Sequence, residues 1–310
     1  MIDSGTLTKK SSGILKKESS RLIKRFSLFN FFNVAFMVVL SALTIYPFWY
    51  VLMASLASDS IASEAVFFLY PVGPTLAAYR MVFSTNAIVT AYRNTLFVTI
   101  VGTSLSLLVT ALLAYPLSRE RLIGGKVIRF LIYFSMIFSG GLVPTFLVVR
   151  GLGLLNTLWA LILPSMVTVW NTMLMIAFFR GLSVSLEESA QLEGANDLRI
   201  LFSIVFPISK PIFATMTLFY GVMYWNAWFN ALIYITRRDL FPIQLLLREI
   251  VQMVDLTFVA GGGGDLTMTD LTMQSVRMAT IIVAIVPIIC VYPFLQKYFV
   301  KGVMVGAVKE

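Results

Sequence analysis

The stretch "LEESAQLEGANDLRILFSIVFP", residues 186–207, is a polar segment with four acidic residues, and it lies between two long uncharged runs. Ser185 followed three residues later by Glu188 matches a capping box, which predicts the start of a short helix. Gly194 is expected to end that helix, because glycine favours helix C-termini. The pattern therefore predicts a short helix followed by a bend.

A second short helix is expected after the bend. Asn196 and Asp197 are residue types that cap helix N-termini. Apolar residues then repeat at helical spacing and form a predicted stripe: Leu198, Leu201, Phe202 and Val205. Pro207 is expected to end the second helix at the membrane.

The chain as a whole is far more apolar than a soluble domain. Its 310 residues are 58% hydrophobic and 13% charged, whereas soluble domains carry roughly 25% charged residues. It has no His and a single Cys, Cys290, so the chain itself cannot supply a zinc site of Cys and His, Cys–His catalysis or an internal disulfide. These properties predict an integral membrane protein.

Six uncharged runs have the length of a membrane-spanning helix, about 20 residues. They are Phe29–Ala54, Asn94–Leu117, Phe130–Val149, Leu158–Phe179, Pro211–Ile235 and Met278–Leu295. The third run contains Gly140 and Gly141 ahead of Pro144, which is expected to loosen its helix or to admit a neighbouring backbone.

The basic residues cluster before the first run, after the second and after the last. By the positive-inside rule, both termini and the acidic segment are expected on the cytoplasmic side. The same clusters explain the net charge of +9 better than a nucleic-acid partner does. The predicted fold is all-α, with residues 1–28 as a cytoplasmic segment containing an amphipathic interfacial helix and residues 29–310 as a six-span domain.

The chemistry missing from the runs narrows the function. None of the six runs contains Asp, Glu, Lys or Arg, whereas ion-coupled carriers usually keep ionisable groups there. The stretch most similar to an ATP-binding P-loop, "ERLIGGKV", has Glu120 in place of the first Gly and Val127 in place of the Ser or Thr after Lys126, so it does not match that motif. The driving energy is therefore expected to come from another subunit.

The acidic stretch resembles the EAA motif of the membrane subunits of binding-protein-dependent ABC importers. In that motif a Glu-Ala-Ala triplet is followed by Asp-Gly-Ala and by an apolar segment ending in Leu-Pro. The positions that match are Glu188, Ala190, Gly194, Ala195, Ile204 and Pro207. Ser189 replaces an Ala, Glu193 the Asp and Phe206 the Leu, which are conservative changes in size or charge.

The resemblance extends from about Leu43 to Lys309 and includes "TIYPFWYVLMASLAS" and "QKYFVKGVMVGAVKE". These stretches are similar to maltose-type carbohydrate permeases, in the branch of the alginate, aldouronate and rhamnogalacturonan importers. The resemblance implies the transmembrane domain of a type I ABC importer. It also implies that residues 183–207 form the coupling-helix loop that docks on an ATPase, with Asp197 and Phe202 on the same docking surface.

The resemblance implies a set of partners and a location. The partners would be a homologous second permease, two cytoplasmic ATPase subunits that bind ATP and Mg, an external solute-binding protein and the lipid bilayer. The chain itself would bind no cofactor and would not be an enzyme. It would lie in the bacterial cytoplasmic membrane and carry an oligosaccharide of complex or acidic type.

Candidate substrate-pathway residues lie in "YGVMYWNAWFNALIY": Tyr224, Trp225, Asn226, Trp228 and Asn230. Asn226 and Asn230 are four residues apart, which places them on one face of a continuous helix. Aromatic rings offer flat surfaces to sugar rings, and amides bond to hydroxyls. An interhelical amide clasp, with the aromatic residues at the membrane interface, explains the same residues equally well.

Two features of the predicted external loop allow two interpretations each. Gly261, Gly262, Gly263 and Gly264 are slim enough to thread into the binding protein's sugar site, as a loop of the maltose-type permease does, but they also suit a flexible linker. Arg237, Arg238 and Arg248 could attract an acidic sugar or form a solvated basic loop.

Two other classes of function remain as alternatives. A stand-alone channel or secondary sugar carrier is disfavoured by the missing intramembrane charges and by the acidic segment. A membrane-embedded enzyme is disfavoured because no nucleophile, metal-ligand set or pair of buried carboxylates is evident in the sequence.

Overall fold

A computed structural model describes residues 28–57, 70, 73–84, 86–260, 274–290 and 293. These residues form helices joined by turns, and the described ranges contain no strand. The chain divides into two compact units, Met1–Tyr50 and Val51–Glu310. Residues 1–27 lie outside the described part, so the interfacial helix expected there stays a prediction.

The helices are numbered in chain order. They are α1 (Leu28–Leu56), α2 (Ala77–Ser84), α3 (Asn86–Ser118), α4 (Gly125–Ile137), α5 (Leu142–Gly151), α6 (Trp159–Ser165), α7 (Val169–Arg180), α8 (Val184–Leu192), α9 (Asp197–Ile208), α10 (Lys210–Trp225), α11 (Trp228–Tyr234), α12 (Ile243–Ala260) and α13 (Gln274–Cys290). A short 3-10 turn, Arg238–Leu240, lies between α11 and α12.

The described part of the first unit is the N-terminal portion of α1. Its large apolar side chains, such as Phe29, Phe36 and Leu43, are more than half exposed. Exposed apolar side chains along a helix of this length suit a hydrocarbon environment rather than water. The apolar run expected to form the first span is therefore a helix, as predicted.

Two described helices are individually long and apolar enough to cross a bilayer, α1 and α3. Three pairs meet the same requirement only together, because each is bent at a short break: α4 with α5 by 115°, α6 with α7 by 52°, and α9 with α10 by 85°. The described helices thus supply two to five candidate spans, and α13 is a shorter apolar helix. The total of six spans stays a prediction.

The break in the third run lies at its glycines. Helix α4 ends at Ile137 and α5 begins at Leu142, with Gly141 at φ +83° between them. Residues with a Cβ rarely adopt that conformation, so glycine permits the sharp turn ahead of Pro144. The expected loosening of the third helix is confirmed, in the form of a bend.

Helix α3 packs against α10 and α7 more extensively than against other elements. Its buried face consists largely of small residues, including Ala91, Gly102, Ser106 and Ala114. Small residues allow helix backbones to approach closely in a membrane, where no hydrophobic force drives helices together. The second unit is therefore organised around the small-residue face of α3.

Two tyrosines of α10 fill the space that these small residues leave. The Tyr224 hydroxyl lies 2.9 Å from the Ser106 Oγ, and the Tyr220 hydroxyl lies 2.7 Å from the Thr110 Oγ1. The tyrosines are four residues apart, as are their partners, so both pairs form only when the helices run antiparallel in one register. A Cβ on Gly102 would come within 2.8 Å of the Tyr224 ring.

The glycine contact predicts a difference between two Gly→Ala variants. Gly102→Ala is expected to destabilise the protein by about 1–3 kcal/mol through overpacking, offset by up to about 1 kcal/mol of helix propensity. Gly221→Ala is the matched control, since its Cβ would meet only Thr103 Oγ1 at 3.9 Å. Thermal melting in detergent should show a lower midpoint for Gly102→Ala alone; equal midpoints would contradict this packing.

Candidate functional site

The acidic segment, residues 183–207, forms two helices with a bend between them. Helix α8 begins at Val184, and the residue at its N-cap is Ser183 rather than Ser185. The Ser183 hydroxyl bonds to that of Ser185 at 2.7 Å instead of to the helix backbone. The predicted capping box at Ser185 and Glu188 is therefore wrong, because Ser185 already lies inside the first turn.

The bend at Gly194 is a Schellman motif. Its two diagnostic bonds are present: Ala195 N–H donates to the Ala190 carbonyl and Gly194 N–H to the Gln191 carbonyl, both at 2.9 Å. Gly194 has φ +82°, a conformation that glycine adopts without strain. The predicted end of the first helix at this residue is confirmed.

The second helix starts where the sequence predicts. The Asn196 Oδ1 accepts a hydrogen bond from Arg199 N–H at 2.8 Å, which caps α9. Helix α9 continues through Pro207 to Ile208, so the expectation that Pro207 ends it is wrong. Pro207 is tolerated because a π-helical turn, Leu201–Val205, precedes it and the proline lies at the start of the α-helical turn that follows, where its missing N–H is not needed.

The π-helical turn also separates the residues of the predicted apolar stripe onto two faces. Residues Leu201–Val205 form a π-helix, whose longer repeat rotates the following side chains away from the positions of an α-helix. Leu201 and Val205 are buried, whereas Leu198 and Phe202 are exposed. Two of the four stripe residues thus pack against the protein and two face outward.

Most of the residues expected to dock on an ATPase lie at the surface of the acidic segment. Ala190 is buried, and Ala195 and Ile204 are half-buried. The exposed members of the set are Glu188, Ser189, Glu193, Gly194, Asp197, Phe202 and Pro207. A cavity of about 140 Å³ lies at the bend between α8 and α9, and its lining includes Glu193 and Arg199.

Leu192 was not singled out by the sequence analysis. It is 91% exposed at the end of α8, directly before the bend. Its side chain offers apolar surface that a partner protein could remove from water. Its separation from the repeating stripe is the reason that periodicity alone did not find it.

Glu187, which was also missed, is the buried acid of the segment. It is 4% exposed and pairs with Arg119, which is 8% exposed and directly follows α3. The Arg119 Nε donates to Glu187 Oε2 at 2.8 Å, its Nη2 donates to Glu187 Oε1, and its Nη1 donates to the Phe179 carbonyl at 2.8 Å. The sequence shows two adjacent glutamates but cannot indicate which one faces inward.

A second, exposed ion pair joins the same two regions. The Arg121 Nη2 donates to Asp197 Oδ1 at the start of α9. The side chains are 47% and 63% exposed, and exposed pairs of this kind contribute about 0–1 kcal/mol. With its amide oxygen turned toward Arg121, Gln191 of α8 also accepts a hydrogen bond from that guanidinium, so Arg121 makes a second, more exposed contact with the segment.

The aromatic and amide candidates separate into two groups. Tyr224 and Trp225 are buried: Tyr224 donates to the Ile162 carbonyl at 3.2 Å in addition to its Ser106 contact, and Trp225 Nε1 donates to the Ala284 carbonyl at 3.3 Å. These two side chains therefore pack between helices. Asn226 and Trp228 are exposed, and Asn230 is half-buried.

The two asparagines do not share one helical face. Helix α10 ends at Trp225 and α11 begins at Trp228, so the helix is broken between the two asparagines. The Asn226 Nδ2 donates to the Val222 carbonyl of its own helix, and the Asn230 Nδ2 donates to Ser165 Oγ at 3.1 Å. The assumption of a continuous helix is wrong, and Asn230 forms an interhelical amide contact.

A cavity of about 540 Å³ lies between α3, α10 and α13. Its lining is mainly apolar and includes Leu96, Ile100, Thr103, Trp225 and Ile288. An apolar lining of this kind provides few partners for sugar hydroxyls. Of the candidate substrate-pathway residues, only Trp225 is among those that line this cavity.

The three arginines near α11 have partners in the structure. Arg237 donates to Asp239 and holds the pKa of that carboxyl below its usual value, and Arg238 pairs with Glu249 at 3.2 Å. The Arg248 guanidinium lies 4.1 Å from the centre of the Trp228 ring. Asp239 and Glu249 thus balance two of the three positive charges, whereas the contact of Arg248 with Trp228 leaves its charge in place. Gly261–Gly264 lie outside the described residues, so their role stays a prediction.

No known protein-family model matches the sequence. The polygalacturonan/rhamnogalacturonan transport system permease protein YtcP of Bacillus subtilis (strain 168) is 42% identical over 286 residues, which cover 91% of this chain and 98% of YtcP. Protein LplC of the same strain is 40% identical over 282 residues, 91% of this chain and 95% of LplC.

A solved structure is also similar. The crystal structure of a bacterial ABC transporter involved in the import of the acidic polysaccharide alginate contains a chain with a TM-score of 0.79 and 32% identity. The match covers 88% of this chain and 96% of that one. The fold is therefore that of an ABC importer's transmembrane domain. This chain belongs to the family of permease subunits of ABC sugar-transport systems, which are membrane proteins with a transport role.

The Schellman bend predicts the effect of a small substitution. Gly194→Ala places a Cβ in open space but in a left-handed conformation, which costs about 1–2 kcal/mol. We expect faster hydrogen exchange in residues 184–200 and slower sugar uptake. Gly151→Ala is the control, because its Cβ would also meet open space and its φ is not positive. Identical exchange in the two variants would contradict the expected strain of alanine at position 194.

Proposed function

We propose that this chain is one of two different, homologous permease subunits that form the membrane path of an importer for acidic oligosaccharides. An external binding protein delivers the sugar, and ATP hydrolysis on two separate subunits drives its passage. The observation that carries this proposal is the acidic segment, whose bent helix pair presents an almost fully exposed leucine.

The surface of the acidic segment has the properties of a docking site. Leu192, Leu198 and Phe202 are exposed apolar side chains next to exposed carboxylates of Glu188 and Glu193. Apolar anchors surrounded by charges are typical of protein interfaces, in which the anchors supply affinity and the charges supply orientation. The segment thus suits a complementary cleft on an ATPase subunit.

The proposal places nucleotide chemistry on the partners. This chain has no P-loop, and its acidic segment offers contacts rather than a phosphate cradle. ATP and Mg would therefore bind to the two ATPase subunits alone. Closure of those subunits would move the acidic segment and, as a rigid-body movement, the helices attached to it.

The proposed location is the bacterial cytoplasmic membrane, with six spans and both termini in the cytoplasm. The charge clusters support this orientation, because they lie before the first run, after the second and after the last. In that orientation the break between α10 and α11 would lie on the external side, as would the loop predicted to contain Gly261–Gly264. The glycine segment would then approach the docked binding protein.

The choice of an acidic oligosaccharide rests on similarity and on the site. YtcP is named for polygalacturonan and rhamnogalacturonan, and the similar structure is that of an alginate importer. Exposed Asn226 and Trp228 can bond to sugar hydroxyls and stack on sugar rings. Arg248, stacked on Trp228, supplies a nearby cation.

Docking predicts the effect of Leu192→Asp. Burying a leucine contributes about 1.5–3 kcal/mol, so its replacement by a charged residue should weaken ATPase binding by about tenfold or more. Leu152→Asp is the matched control, because Leu152 is also exposed but follows α5, on the predicted external side. Co-purification of the ATPase subunits measures the outcome. Full retention in the Leu192 variant would contradict docking and favour a stand-alone carrier.

The substrate class predicts the uptake of defined sugars. Cells lacking this chain should regain uptake of a labelled galacturonate trisaccharide when the gene is restored, whereas uptake of maltotriose should not change. Arg237→Gln should leave uptake unaltered, because that guanidinium is already neutralised by Asp239. Restored uptake of maltotriose without galacturonate would contradict the acidic substrate.

A further inference from the structure

The Arg119 side chain touches three helices at once. It directly follows α3, its guanidinium forms a two-point contact with Glu187 of α8, and it donates to the Phe179 carbonyl in the last turn of α7. The guanidinium carbon also lies 5.2 Å from the centre of the Tyr115 ring. A planar, bidentate group of this kind fixes direction as well as distance.

The covalent connections of α8 do not fix its direction to the same extent. Residues 181–183 separate it from α7 without helical structure, and the bend at Gly194 separates it from α9. A short helix between two non-helical joints can tilt unless side chains hold it. The buried contact from Arg119 to Glu187 supplies that hold from the end of α3.

Stability alone gives little reason for a buried ion pair at this position. Removing two charges from water is costly, and well-packed apolar residues often stabilise a protein as much or more. What an ion pair adds is a defined geometry, since Arg119 loses its bonds when α8 rotates. The pair is therefore suited to hold α8 in one orientation relative to α3.

We propose that Arg119 is a positioning residue that joins the acidic segment and α3 into one mechanical unit. The inference rests on the proposed docking of the acidic segment on an ATPase subunit. A displacement of α8 is then passed to α3 through the guanidinium, and from α3 to α10 through the contacts of Tyr220 and Tyr224. The loop connections alone would absorb part of the same displacement.

The test uses the complete complex with its ATPase subunits, second permease and binding protein. The double variant Arg119→Met/Glu187→Met removes both charges together and leaves neither unpaired. We expect it to retain the ATPase subunits and to hydrolyse ATP, while sugar imported per ATP hydrolysed falls by about fivefold or more, the usual range of a coupling between sites. A merely structural role would lower yield and melting temperature instead.

A second readout needs no transported sugar. Spin labels at Ser185 on α8 and Lys126 on α4, both exposed, report the orientation of α8 in a Cys290→Ser background. The parent should give a narrow distance distribution and the double variant a broad one. Arg180→Gln is the control: it removes an exposed guanidinium in the last turn of α7 and should keep the parental distribution and ratio.

The outcomes separate this inference from the proposed docking. Parental values of both readouts in the double variant would overturn the positioning role, whereas ATPase retention by Leu192→Asp would contradict docking alone. If the double variant does not assemble, Arg119→Lys decides, since lysine keeps the charge without the two-point contact. Parental coupling and a parental distance distribution in Arg119→Lys would likewise overturn the inference.

Discussion

The antiparallel contact between α3 and α10 is the constraint on which the second unit depends. Tyrosine hydroxyls buried among apolar helices need partners, because an unpaired polar group in an apolar environment is costly. Ser106 and Thr110 provide those partners at the spacing of Tyr224 and Tyr220. Since Gly102 leaves room for the Tyr224 ring, the same contact fixes both the register and the separation of the two helices.

Side chains near both ends of α3 also bond to neighbouring elements. Near its start, Asn94 Nδ2 donates to the Asp239 carbonyl and Thr95 Oγ1 accepts from Ile243 N–H, which holds the turn before α12. Just after its end, Arg119 holds α8 and the end of α7. A single long helix is thus bonded to the surroundings of the candidate sugar path and to the acidic segment. In a transporter that moves by rigid-body displacement, such a helix can connect the two regions.

The exposed leucine and the buried glutamate of the acidic segment point in different directions. Leu192 projects outward and is available to a partner, whereas Glu187 points inward and attaches the segment to the rest of the chain. The two residues lie on one short helix, α8, so a force applied at the first reaches the second within about 8 Å of helix length. The proposed docking surface and the attachment to Arg119 are therefore close together and use different side chains.

The sequence by itself predicted the family, through the resemblance of residues 186–207 to the EAA motif, and it predicted the helical runs and the bent acidic segment through local physics. Long uncharged runs suit a bilayer, Gly194 supplies a left-handed turn, and Asn196 caps the next helix. Only the tertiary structure decided which of the adjacent Glu187 and Glu188 is buried, because that depends on the position of Arg119, 68 residues away.

The tertiary structure likewise decided the π-helical turn at Leu201–Val205 and the break between Asn226 and Asn230, which moved side chains off the faces that a regular α-helix predicts. Periodicity assumes uninterrupted α-helices. Where packing imposes a wide turn or a break, the sequence still predicts which residues belong to the segment, but the neighbouring helices determine where their side chains point.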